Sequence, residues 1–298
     1  MNNQQLSPPK VIPLTIDGQQ SPGIFVGGQK DIAVLMVSGG AQIRAGSHRM
    51  QQQLASFLQQ QQISSLRFDF PGFGDAEGLP QDFIQHANWL SQVLSAAQQA
   101  EPRINYWVLF GLCDGASAIL LNQQVLQKAS GLILLNPWCR ASQNHAQTMV
   151  RFYYWQRLCA IEFWKKLLSG SSHPLQSLRQ FFQYVRQGYT QTPAPSDNTW
   201  QSAGAGATSL NSSNFLMPML DNWCDFDKPV LLALSDTDLT AQECASLLAQ
   251  LPKQRQTQMA SHTTTQTLAG ANHTCSDAQH FLQLQQHIKA WFSQNFPG

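Results

Sequence analysis

Short apolar runs alternate with amphipathic stretches along most of this chain. The run IAVLMVS at 32–38 is apolar throughout and ends in Gly39-Gly40, which predicts a buried strand followed by a loop. Over 46–62, Met50, Leu54, Phe57 and Leu58 share one helical face and glutamine fills the other. SSLRFDF at 64–70 is a second strand, and the glycine-rich PGFGDAEG follows it. Residues 80–99 predict a helix carrying Phe83, Ala87, Leu90 and Leu94. YWVLFGL at 106–112 is a third strand, and the helix ASAILLNQQVLQ departs a few residues later. GLILLNPW at 131–138 and KPVLLAL at 228–234 are further strands, and 265–273 contains another. A last helix over 277–295 presents Phe281, Leu284, Ile288, Trp291 and Phe292. Apolar strands alternating with amphipathic helices imply an α/β fold, with a mostly parallel central sheet and helices on both faces.

One segment breaks the rhythm. Residues 140–226 separate the fourth strand from the fifth. Their first half, RFYYWQRLCAIEFWKKLL, is aromatic and basic and predicts helix; TQTPAPSDNTWQSAGAGATSLNSSN predicts loop. An insertion above the carboxyl ends of the strands would form a lid over a pocket. A surface excursion is the plainer alternative. The aromatics Phe152, Tyr153, Tyr154, Trp155, Phe163 and Trp164 favour the lid, because so much ring surface is costly in water. The expected organisation is therefore a core of 1–139 and 227–298, interrupted by a helical lid insertion at 140–226.

Composition narrows the setting. The 298 residues are 43% hydrophobic, enough for a sizeable core, but only 12% charged, with a net charge of +1. That balance makes no electrostatic case for nucleic acid or an anionic membrane. Six cysteines stand singly, with no C-x-x-C pair and no zinc-ligand spacing, so they read as reduced thiols of a cytoplasmic protein without metal or cofactor. The opening residues lack the basic and apolar regions of a signal peptide, and no run approaches the length of an integral membrane span.

The chemistry gathers at LFGLCDGAS, residues 109–117. Gly111-Leu112-Cys113-Asp114-Gly115 is a G-x-S-x-G nucleophile elbow with sulfur for oxygen, and it lies between a predicted strand and a predicted helix as an elbow must. A lone cysteine at a strand end is usually a small buried hydrophobe; the flanking glycines and the strand–turn–helix context argue for a nucleophile. Such a thiol needs a base and an acid to orient it. These follow in order: LSDTDLTA offers Asp238, with Asp236 as the alternative acid, and AGANHTCSD offers His273. Asp238 could instead cap the helix TAQECASLLAQL. Two backbone amides must face the developing oxyanion. Asp114 supplies one, and the loop SGGAQIRAGSHR the other, through Gly40 with Ala41 next. Ala41, Arg44, Tyr153 and Tyr154 are candidate substrate contacts. Asp69 and the glycines after it read as structural, since Gly72-x-Gly74 lacks the dinucleotide spacing. Thiol redox sensing, with Cys139 or Cys275 as a partner, is a weaker alternative.

Together these residues resemble the α/β-hydrolase superfamily over nearly the whole chain. More narrowly, SGGAQIRAGSHR, GLCDGASA, LLNPWCR, YYWQRL, FWKKLLSG and ALSDTDLTA resemble the first of two bacterial hydrolase families associated with exosortase A and PEP-CTERM sorting. That resemblance implies an α/β-hydrolase fold, a Cys113 nucleophile partnered by His273 and Asp238, and an exopolysaccharide-producing host. The function expected is hydrolysis of a small-molecule ester or thioester, with acyl transfer as a variant. The rival is a catalytically degenerate hydrolase frame that acts as a binding protein.

Overall fold

The computed structural model describes residues 7–140, 210 and 214–297. Eight strands form one sheet: β1 (Lys10–Ile16), β2 (Gln19–Val26), β3 (Ile32–Val37), β4 (Ser64–Arg67), β5 (Tyr106–Leu112), β6 (Gly131–Leu135), β7 (Val230–Ser235) and β8 (Thr263–Leu268). Their spatial order is β1-β2-β4-β3-β5-β6-β7-β8. β2 runs antiparallel to both neighbours, and every other described pairing is parallel. Leu35, in β3, aligns with Leu66 on one side and Leu109 on the other, and Leu109 aligns with Leu132. The central strands β3, β5 and β6 are buried apart from Tyr106 at the start of β5, which explains their continuous apolar runs.

The helices cover both faces. α2 (Phe83–Ala100), α3 (Asp114–Leu121), α4 (Gln123–Lys128) and α5 (Leu216–Asp225) bury residues in one core layer, and α1 (Met50–Gln60) and α8 (Ala278–Asn295) in the other. α6 (Leu239–Gln250) and α7 (Lys253–Ala260) flank β7 and β8. From β3 the chain moves one way to β4 and then returns across β3 to β5. The loops after β3 and β5 therefore diverge, and a crevice opens at their carboxyl ends, the place where open α/β sheets bind ligands.

Several expectations change. The β1–β2 hairpin went unread, although KVIPLTI alternates cleanly and Asp17-Gly18 joins the strands with φ of 52° and 77°. The helix expected from residue 46 starts at Met50, because Gly46, His48 and Arg49 all take positive φ. The helix after the elbow breaks at Asn122, whose side chain accepts from Val125 N–H and caps α4. α5 falls within the segment assigned to the lid, yet Phe215, Met219, Leu220 and Trp223 are buried in the core beside α3. The rest of the expected lid, 141–209, lies outside the described residues, together with its aromatics and Cys159.

One buried titratable group makes the core sensitive to acid. His86, on α2, stacks on Phe70 with ring centroids 4.0 Å apart and has Phe73 and Trp89 around it. Its Nε2 is buried without a hydrogen-bond partner, and desolvation lowers its pKa from 6.5 to about 4. The neutral ring is the folded form, so its contribution is complete above pH 6.5 and is lost as pH falls toward 4. The loss amounts to roughly 3 kcal/mol. Urea unfolding at pH 7 and pH 4.5 should show a smaller acid-induced loss in His86→Phe than in the parent, by about 2 kcal/mol or more.

Candidate active site

Cys113 sits between β5 and α3 with φ 58° and ψ −127°, a conformation that L-residues avoid. Its neighbours permit the bend. A Cβ on Gly111 would lie 2.6 Å from Ala116 Cα, and one on Gly115 would lie 2.8 Å from Ser38 O. Both positions therefore need glycine for close backbone approach, not for a positive φ. The Cys113 N–H donates to Leu135 O (3.0 Å), and its carbonyl accepts from Trp138 N–H (3.1 Å). Those bonds tie the bend to the end of β6. The thiol is half-buried, whereas Cys139, Cys224, Cys244 and Cys275 are buried. A hydrogen bond with Cys244, together with burial, pushes the Cys139 thiol well up, and burial pushes Cys275 up to about 11. Neither is a ready redox partner.

The structure brings Cys113, His273 and Asp238 together. Nδ1 of His273 lies 2.8 Å from Asp238 Oδ2, and Cys113 is near enough to the same ring to raise its pKa. With Nδ1 engaged, Nε2 is the nitrogen left for sulfur. The hydrogen bond to Asp238, and after it the neighbouring Cys113, push the imidazole up to about 10, against desolvation, so the ring carries the proton at neutral pH. Asp238 Oδ2 also accepts from Ala241 N–H (3.0 Å) and caps α6. The two roles weighed for it are compatible. Asp236 points elsewhere and accepts from Gly270 N–H (2.7 Å).

Three side chains hold the His273 loop against the sheet. Asn136, fully buried and with φ 47°, donates from its amide to His273 O (2.8 Å) and Ser235 Oγ (2.9 Å), and accepts from Ser235 N–H (2.8 Å). Thr237 Oγ1 donates to Ala271 O (2.5 Å), and Asp236 holds Gly270 as above. Sequence reasoning passed over Asn136. The available signal was an Asn-Pro step directly after an apolar run.

Residues 34–286 match the family described as alpha/beta hydrolase. The chain belongs to the alpha/beta hydrolase family. No curated protein matches the sequence. Solved structures similar to this hydrolase include the Pyrococcus furiosus esterase Pf2001, at 12% identity and TM-score 0.62, covering 97% of this chain and 91% of that one. The ferulic acid complex of Est1E from Butyrivibrio proteoclasticus aligns at 16% identity and TM-score 0.58, covering 96% and 99%. DcsB in complex with its substrate analogue aligns at 17% identity and TM-score 0.61, covering 98% and 100%. These likenesses concern the fold.

Two candidate site residues of the hydrolase are engaged differently from expectation. Gly40 N–H does not face an open pocket; it donates to Asp114 Oδ1 at 2.6 Å. Arg44 is not a free substrate contact. Its guanidinium pairs with both Asp69 and Asp75, and its N–H donates to Asp69 Oδ1 (2.6 Å). Asp69, fully buried, further accepts from Asp75 N–H (3.2 Å), and a Cβ on Gly74 would lie 2.3 Å from it. This cluster fastens the loop after β3 to the loop after β4. Ala41 is exposed on the same loop. Tyr153 and Tyr154 lie outside the described residues. Among the described residues, no group of three or more His, Cys, Asp or Glu could hold a metal ion, and no helix is long and apolar enough to cross a membrane.

The geometry predicts a separable titration. By NMR, the His273 ring should titrate near 10 in the intact protein. Asp238→Asn should bring it down toward 6.5, and Asp236→Asn should leave it unchanged. The stability carried by this raised pKa is full below pH 6.5 and fades as pH rises through about 10.

Proposed function

We propose that this hydrolase cleaves a small-molecule carboxylic ester or thioester through a Cys113 acyl-enzyme, with His273 as base and Asp238 as its orienting acid. The observation that carries the reading is the His273–Asp238 hydrogen bond set beside Cys113, which stands at a strained elbow on the carboxyl side of a parallel sheet. Cys113 sulfur, its proton held by His273, attacks the acyl carbon, and the carbonyl electron pair moves onto oxygen. Backbone N–H groups at Asp114 and, once its bond to the Asp114 carboxylate is released, Gly40 stabilise that charge. When the intermediate collapses, the alcohol or thiol leaves with the imidazolium proton. Water, deprotonated by His273, then attacks the acyl-thioenzyme and releases the carboxylic acid and the cysteine. A thioester intermediate is activated enough to pass its acyl group to another acceptor, so transfer belongs to the same proposal.

The motifs GLCDGASA and LLNPWCR support a narrower setting: a cytoplasmic enzyme of the exosortase-associated kind, acting on an acyl metabolite of cells that make exopolysaccharide. Nicotinamide or metal chemistry has no part in this scheme.

The direct test is turnover of short p-nitrophenyl esters and acyl thioesters, together with labelling by iodoacetamide and an acyl-thioester probe. Cys113→Ala should abolish labelling at that position and lower kcat/KM more than about 10³-fold, with His273→Ala comparable. Asp238→Asn should cost about 10²–10⁴-fold in kcat. Labelling and turnover that survive Cys113→Ala would leave a hydrolase frame used for binding.

A further inference from the structure

A pocket for an oxyanion should present unclaimed N–H groups, yet here a carboxylate already holds one of them. Asp114 Oδ1 accepts from Gly40 N–H at 2.6 Å. The carboxylate lies at the first turn of α3, where the helix field also favours an anion. Burial raises the Asp114 pKa, and the Gly40 amide and the positive His273 ring offset part of that shift. Gly39 makes room for it: a Cβ there would lie 2.4 Å from Asp114 Oδ1 and 2.4 Å from Leu112 O. The Gly40 amide is one of the pair, with that of Asp114, that a tetrahedral intermediate on Cys113 would use. Carboxylate and oxyanion cannot hold the same N–H groups together. Asp114 follows Cys113 directly in the chain, so a displaced carboxylate stays in the site and lines the space beside the acyl group.

We propose that the Asp114 carboxylate is a built-in occupant of the oxyanion pocket, which the substrate carbonyl must displace, and that it makes the site select neutral or cationic acyl groups over those bearing a carboxylate. The inference rests on the acyl-enzyme reading above and assigns its substrate class.

Two kinds of Cys113 probe separate the claims. Iodoacetamide reacts at a saturated carbon and forms no oxyanion; butyryl thioester and butyraldehyde both do, the latter as a hemithioacetal. In Asp114→Asn and Asp114→Ala, the rate of butyryl transfer to Cys113, divided by the iodoacetamide rate of the same variant, should rise about tenfold. Butyraldehyde should bind more tightly by a similar factor. The preference for butyryl over succinyl thioester should shrink, because succinyl carries the carboxylate that Asp114 repels. A ratio that falls or stays level in both variants overturns the proposal and leaves Asp114 as a strut for the Gly40 loop. Failure of iodoacetamide to label Cys113 in the parent would instead remove the acyl-enzyme reading. The pocket occupant is read independently in the unmodified protein: the Gly40 amide proton should resonate downfield and exchange slowly. An upfield, rapidly exchanging Gly40 amide overturns the proposal whatever the chemistry of Cys113 and whether or not the variants fold.

Discussion

Everything at this site depends on a backbone conformation at one residue. Cys113 holds φ 58° and ψ −127° because β5 and α3 are both packed into the core and the turn between them has no slack. The strain is sustained by contacts that glycine alone permits at 111 and 115, and by main-chain bonds to β6 and to Trp138. The sulfur is thereby lifted to the crest of the crevice between the β3 and β5 loops. A relaxed turn would turn it back among the apolar side chains that pack beside it.

The loops around that crest are held by buried polar groups more than by apolar ones. Asp69 binds the β3 and β4 loops through Arg44, Asn136 binds β6 to β7 and the His273 loop, and Asp238 serves both α6 and His273. Buried polar side chains of this kind are expensive unless their bonds are made, and once made they admit few alternative arrangements. That property suits a site whose parts arrive from four distant stretches of chain. Asp114 belongs to the same set, since its carboxylate joins the elbow to the β3 loop.

Much of the framework was legible because its signals are local. The central strands β3, β5, β6 and β7 are largely apolar, since both faces of a parallel sheet are covered; the elbow and Asp238 follow two of these strands, and His273 follows the polar edge strand β8. Other elements carried weaker or competing signals. The β1–β2 hairpin shows alternation and an Asp-Gly turn, but it precedes the first strong apolar run. α1 starts four residues after its periodicity does, since helical periodicity does not register a left-handed turn at His48 and Arg49. α5 lies within the insertion by sequence, and nothing in LMPMLDNWCD says that it will pack on α3.

By itself, then, the amino-acid order determined the sheet-and-helix alternation, the presence of an elbow and the identity of residues able to serve it, because periodicity and turn chemistry act over a few positions. Which carboxylate meets His273, which amide Asp114 takes and which partners Arg44 chooses were decided only in three dimensions. Hydrogen bonds have a reach of about 3 Å and a demand for direction. Spacing along the chain encodes neither for groups that the packing brings together from 25 to 74 residues apart.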